Sequence, residues 1–330
     1  MRVGRVRFSP AGFLLVAVMC GVVSTGCVTT PPVRPVESPA PSEALVPETI
    51  RVRTAGTIVT LSLEDYVLGT ALAEVSPVAD RPEVVARIFE VQAVIARTYA
   101  VSQVGKHRLE GFDVCDTTHC QLYEPSRIAT SRFTPAARRA VASTRGQILV
   151  FSRRPTQALF HADCGGHTAA AEVVWGGRPV PYLPGGQDDV AGVPHRAWRF
   201  NATLDQLHAA LSRHPDTTTG KRLNSLRVTA RDASGRAATV ELRGDSTRFV
   251  RGEVLRSVIN QTFGPRALLS TRFEVKASTG NLAFVGTGFG HGVGLCQVGA
   301  AARARRGDSL DGILHAYFPG ATLAPVVPAG

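Results

Sequence analysis

The sequence predicts a mixed α+β fold, two lobes around a central cleft, preceded by an export signal and a proline-rich linker. Three observations carry this. Residues 82–101 place Val84, Val85, Ile88, Val91, Ala93, Val94 and Ile95 in a wide apolar stripe at helical spacing. Short strand-like runs punctuated by Gly turns are interspersed with such helices. A chain of 330 residues with 44% hydrophobic content has enough apolar mass for one large body or two moderate ones.

Taken in order, residues 1–26 read as a signal peptide. Arg2, Arg5 and Arg7 form a positive start, and residues 13–23 form an apolar core too short to span a bilayer. The segment ends Val23-Ser24-Thr25-Gly26-Cys27, which resembles a bacterial lipoprotein box and makes Cys27 the expected lipidation site. The expected location is outside the inner leaflet, membrane-anchored and facing the periplasm or wall, with simple secretion as the alternative. Residues 27–50, rich in Pro, Ser, Thr and Glu, cannot bury a core and read as a disordered spacer. The folded body is expected over 51–325, with 195–285 as a smaller β-rich lobe.

The formal charge is +11. A basic body attracts polyanions such as anionic lipid or an acidic wall polymer. No zinc-finger spacing and no aromatic RNA-binding signature is present, so nucleic acid is not an expected partner.

Residues 52–63 alternate around Gly56 as two strands joined by a turn would. Ser62 is placed to cap a helix over 63–75. Within it Glu74 lies among apolar neighbours. It is either a desolvated acid with a raised pKa, suited to general acid work, or a solvated glutamate near a helix end. Arg97, on the long helix, either pairs with a carboxylate or substrate oxygen or lies on the surface.

Cys115, His119 and Cys120 fall within six residues and fit a metal corner, with His107 as a fourth ligand. A Cys115–Cys120 disulfide and free thiols are the competing readings. A short basic helix over 135–143 and strands over 147–151 and 158–161 follow. The strand then enters Ala162-Asp163-Cys164-Gly165-Gly166, a turn flanked by His161 and His167. Trp175 reads as a sugar platform or a core anchor. Further on come a helix over 204–211, a hairpin over 226–242 turning at Ser234-Gly235, and a helix over 252–259.

Near the end, glycines at 286, 288, 290, 292 and 294 surround His291 and lead into Gln297. Such density is tolerated where φ must be positive or the backbone must approach something closely. The loop either presents His291 and Gln297 to a substrate or is a connection before a helix over 297–306. A last helix covers 310–317.

Together these stretches resemble the stage II sporulation protein D / LytB family over most of residues 50–325. The carriers are Leu63-Glu64-Asp65-Tyr66-Val67-Leu68-Gly69 through Glu74, Gln92-Ala93-Val94-Ile95-Ala96-Arg97-Thr98-Tyr99-Ala100 and Thr118-His119-Cys120-Gln121-Leu122-Tyr123. To these are added Cys164-Gly165-Gly166-His167-Thr168, Gly290-His291-Gly292-Val293-Gly294-Leu295-Cys296-Gln297-Val298-Gly299-Ala300 and Tyr317-Phe318-Pro319-Gly320.

The resemblance implies a lytic transglycosylase. Such an enzyme cuts peptidoglycan between N-acetylmuramic acid and N-acetylglucosamine and leaves 1,6-anhydro ends. It implies Glu74 as the single acid/base and Arg97 as a second catalytic residue. Tyr99, Gln121, Tyr123, His161, His167, His291 and Gln297 become sugar-binding residues. No cofactor is needed for the chemistry, and the zinc of some relatives implies a structural ion at Cys115, His119 and Cys120. Expected partners are glycan strands, including strands stripped of peptide, and the membrane through the lipid anchor. The LytB branch supplies the alternative, a non-catalytic wall-binding protein that enhances an amidase partner. Cys164 and Cys296 stand where many relatives have Ser, and a disulfide between them is a further expectation.

Overall fold

The computed structural model describes residues 46–77, 80–188 and 195–325. The signal-peptide reading and Cys27 lie outside the described residues. Among those described, nine α-helices and several two- and three-stranded sheets make a mixed α and β fold. No helix among them is long and apolar enough to cross a membrane.

The ordered body begins earlier than proline content suggested. Val46 and Ile50 are buried in the main core, and the first strand is Thr49–Thr54. It pairs antiparallel with Thr57–Ser62 through a two-residue turn in which Ala55 and Gly56 both have positive φ. It also pairs in parallel with Val114–Cys115, which fixes the position of Cys115.

Helix α1 (Leu63–Glu74) starts where Ser62 accepts the backbone N–H of Asp65. Helix α2 (Pro82–Gln103) is buried around most of its circumference from Val91 to Ala100, so it is the axis of the main core. The short α3 (Ser126–Thr130) and α4 (Thr134–Ser143) follow, and α1 and α4 pack on α2. Strand Gln147–Phe151 is paired with Thr322–Pro325, which brings the end of the described chain onto the same core. Helix α5 (Ala171–Trp175) comes next.

A second hydrophobic core lies between Trp198 and Phe284, around Leu207, Val240, Leu255, Ile259 and Phe284. Two antiparallel three-stranded sheets build it. One is Leu223–Arg231, Ala237–Gly244 and Thr247–Arg251; the other is Phe273–Ser278, Asn281–Thr287 and Ala197–Thr203. Helices α6 (Leu204–Leu211) and α7 (Gly252–Phe263) cover it. Strand Ala197–Thr203 was not anticipated, although Trp198, Phe200 and Ala202 alternate with the exposed Arg199 and Asn201 as a half-buried strand does. Helices α8 (Gln297–Arg306) and α9 (Leu310–Tyr317) return to α2.

Candidate active site

Glu74 is the last residue of α1 and lines a cleft of about 950 Å³. One wall is made by the exit of α1 (Val75, Ser76, Pro77) and by Ile88 of α2; the other contributions come from Asp163, His195, Phe289 and the start of α8 at Gln297. Glu74 Oε1 accepts the backbone N–H of Leu122 at 2.8 Å, which fixes the carboxyl. Burial pushes its pKa up to about 7; the Leu122 N–H pulls the other way, and the nearby Glu124 adds to the rise. Near neutral pH this group therefore exchanges a proton readily in either direction.

Asp163 and His195 also line the cleft. Asp163 is buried and accepts three N–H groups: Gly165 at 2.9 Å, Arg196 at 2.7 Å and His195 Nδ1 at 2.8 Å. This bond from Nδ1 fixes the orientation of the His195 ring at the cleft. This carboxylate–imidazole pair is what sequence reasoning missed. The place of Asp163 beside Cys164 is not diagnostic in the sequence, and His195 sits in a stretch without periodicity.

Of the residues expected to bind or cut the substrate, only Glu74 and Gln297 line the cleft. Gln297 donates from Nε2 to Gln92 Oε1 at 3.3 Å, joining α8 to α2. Arg97 must be moved from the catalytic group to the scaffold. It is fully buried, its guanidinium forks onto Glu64, and it donates further to the carbonyls of Gln147 and Val141. Tyr99 is buried near Cys115 and Cys120. Gln121 donates to the Ala96 carbonyl, and Tyr123 stacks on Tyr66 at 5.4 Å. His167 donates from Nδ1 to the carbonyl of Thr168 at 2.7 Å, on a strand paired with Gln187.

The glycine loop is a close-packed element. Gly292 has φ 86° and Gly294 φ 70°. A Cβ on Gly294 would collide with the Leu159 carbonyl, and one on Gly292 with the Arg236 guanidinium. Its histidine faces protein: the His291 ring packs on Trp175 (5.1 Å) and His161 (5.5 Å), and Nδ1 accepts the Val293 N–H. Desolvation, with Arg256 and Arg236 near, pushes its pKa down to about 3, so the ring is neutral. Trp175 therefore anchors the loop while staying partly exposed. His161 is buried and donates from Nδ1 to the Val293 carbonyl. The loop reaches the cleft through Phe289 and, at its end, Gln297 and Val298.

His107, His119 and Cys120 bring their ligand atoms within 4.8 Å of one another and could hold a metal, with Cys115 beside His119. Cys115 Sγ lies 3.6 Å from His119 Nδ1, Cys120 Sγ 3.5 Å from the same nitrogen, and Cys120 Sγ 3.7 Å from His107 Nε2. Ligands about 2.0–2.3 Å from a zinc ion at tetrahedral angles stand roughly 3.3–3.8 Å apart. His107 Nδ1 pairs with Glu110, leaving Nε2 to point at the cysteines. Cys115 and Cys120 are free thiols here, and so are Cys164 and Cys296, so neither expected disulfide is formed.

The comparisons with known proteins agree with this layout. The family described as Stage II sporulation protein matches residues 51–151, which carry Glu74, Arg97 and the Cys115 corner. A protein of Brachyspira hyodysenteriae described as uncharacterized is 31% identical over 261 residues, 79% of this chain and 66% of that protein. Stage II sporulation protein D of Bacillus subtilis is 28% identical over 278 residues, 80% of this chain and 75% of its own. The amidase enhancer of the same organism is 26% identical over 277 residues, 71% of this chain and 37% of its own. The chain belongs to the stage II sporulation protein D / LytB family. It spans just under two thirds of the Brachyspira relative. A domain of unknown function (DUF8618) matches residues 192–294, so His195 and the glycine loop lie outside the sporulation-protein match. The family's matched segment thus supplies Glu74, while Asp163 lies between the two matched segments.

Proposed function

We propose that this protein is an exported peptidoglycan lytic transglycosylase whose single acid/base is Glu74. The observation that carries the reading is the Glu74 carboxyl, held by Leu122 on a cleft of about 950 Å³ with its pKa near 7. Protonated Glu74 gives its proton to the glycosidic oxygen as the bond from that oxygen to the muramoyl anomeric carbon breaks. The muramoyl 6-hydroxyl oxygen then attacks the anomeric carbon, and the Glu74 carboxylate takes the hydroxyl proton. The acid is regenerated, the sugar closes to a 1,6-anhydro ring, and no water is consumed. No carboxylate nucleophile is needed, unlike in most glycoside hydrolases. His195, fixed by Asp163 through Nδ1, presents its other ring nitrogen to orient a sugar hydroxyl.

Arg196, Arg266 and Arg305 line the same cleft. A strand stripped of its stem peptides bears a lactyl carboxylate on every muramic residue. Cationic lining therefore favours denuded glycan as substrate. A zinc ion held by His107, Cys115, His119 and Cys120 would cross-link the segment that leads to Leu122, a structural contribution outside the proton chemistry. Lipidation at Cys27 would keep the enzyme on the envelope membrane.

One observation favours a second reading. One relative is named an amidase enhancer. The same cleft would then hold glycan for an amidase partner without cutting it. Incubating intact and denuded peptidoglycan with wild type and Glu74→Gln separates the two. The enzyme releases anhydro-muramoyl products that the variant does not; an enhancer releases none with either.

A further inference from the structure

A second cysteine–histidine cluster lies outside the Cys115 corner. The ligand atoms of His161, Cys164 and Cys296 lie within 4.8 Å of one another, and all three residues are buried. The backbone sets this convergence. His161 is registered against Cys296 in the short parallel ladder of Phe160–His161 with Leu295–Cys296. Cys164 enters from the following turn, its N–H 3.2 Å from the Cys296 sulfur.

The imidazole is arranged as a ligand. Its Nδ1–H donates to the Val293 carbonyl at 3.1 Å, so Nε2 carries the bare lone pair. That Nε2 is buried and has no hydrogen-bond partner among the described residues. Buried acceptors are nearly always satisfied, and one left bare beside two thiols marks a missing group.

The sulfurs are arranged as acceptors. Cys164 Sγ accepts the Gly166 N–H at 3.2 Å, and Cys296 Sγ accepts those of Cys164 at 3.2 Å and Gly299 at 3.4 Å. Backbone N–H groups thus point at both sulfurs from the Gly165-Gly166 turn and from the start of α8, of which Cys296 is the N-cap, and hold them in place. The Cys164 thiol also donates to Asp188 Oδ2 at 3.4 Å; Tyr317 and Arg303 hold the same carboxylate, so Asp188 acts from outside the cluster.

We propose that His161 Nε2 and the thiolates of Cys164 and Cys296 form a second soft-metal site, with zinc as its ion. Two sulfurs and one imidazole nitrogen suit zinc, and a water completes the tetrahedron. Loading releases the two thiol protons. The site is built into the cleft wall: Asp163 lies between two of the ligands, and Gln297 follows the third. Zinc there ties the glycine loop to the Asp163 turn across 132 residues of sequence.

The test uses the full chain under reducing conditions, loaded with zinc and freed of excess. Wild type holds one more zinc per chain than Cys164→Ser, Cys296→Ser or His161→Ala, whatever the occupancy of the Cys115 corner. Cobalt substitution gives a sulfur-to-metal charge-transfer band that weakens in the same variants. A second measurement needs no variant. Zinc slows alkylation of Cys164 and Cys296 in the wild-type chain at least tenfold, mapped by peptide mass, and a chelator restores it. Equal zinc content in wild type and all folded variants overturns the proposal. So do alkylation rates at these two cysteines that ignore zinc, or a Cys164–Cys296 disulfide whose reduction yields no zinc binding.

Discussion

Arg97 and Glu64 form a forked ion pair in the core, with Nε 2.9 Å from Oε1 and Nη2 2.6 Å from Oε2. The pair joins α2 to the first turn of α1, the helix that ends in Glu74. Arg97 thus positions the acid through the scaffold and does not touch the cleft. Arg97→Ala leaves a half-buried carboxylate and two carbonyls without their donor, and should cost about 2 kcal/mol of stability. Denaturant titration checks this. Turnover per folded molecule should stay within a few-fold of wild type. Full stability with abolished turnover would place Arg97 in the chemistry after all.

The raised pKa of Glu74 makes two linked predictions. Because the acid must be protonated, kcat/KM should fall tenfold per pH unit above about 7. Between pH 4.5 and 7 the unfolded chain releases this proton while the folded chain keeps it. Wild-type stability therefore declines across that window and stays reduced above it. Glu74→Gln keeps an oxygen for the Leu122 N–H and carries no charge. It should be more stable than wild type by about 3 kcal/mol at pH 8, and equal to it near pH 4. Denaturation curves at both pH values check the sign.

Much of this was legible in the sequence, and the reason differs by residue. Ser62 and the turn at Gly56 were readable because caps and tight turns are local chemistry. The stripe of α2 was readable because its period is regular. Its neighbours left Glu74 open between a desolvated acid and a solvated helix end; the resemblance singled it out, and the structure leaves it half-buried on the cleft. That Arg97 pairs with a carboxylate was one of its two readings; which carboxylate was not legible, because Glu64 lies 33 residues away in the chain and no local pattern pairs them. His291 was misread because glycines permit close packing as well as substrate access; here they bring the loop against Leu159 and Arg236. His195 was invisible, since its meaning comes only from Asp163, 32 residues upstream.

That pair gives the next prediction. His195→Gln removes the ring that Asp163 orients, and should lower kcat about 10²-fold with KM changed little. Steady-state kinetics on denuded glycan check it. A rise in KM alone would assign His195 to uniform binding.

The Cys115 corner predicts a metal-dependent fold. Chelation, or Cys120→Ser, should lower the melting temperature, and added zinc should restore only the chelated wild type. Melting curves insensitive to both treatments would remove zinc from the corner.

The central claim is that Glu74 cuts glycan, and one measurement tests it most directly. Denuded peptidoglycan is incubated with wild type and with Glu74→Gln, and the soluble products are weighed by mass spectrometry. The account predicts 1,6-anhydro-muramoyl fragments from wild type and none from the folded variant. Anhydro products from both, or from neither, would contradict it.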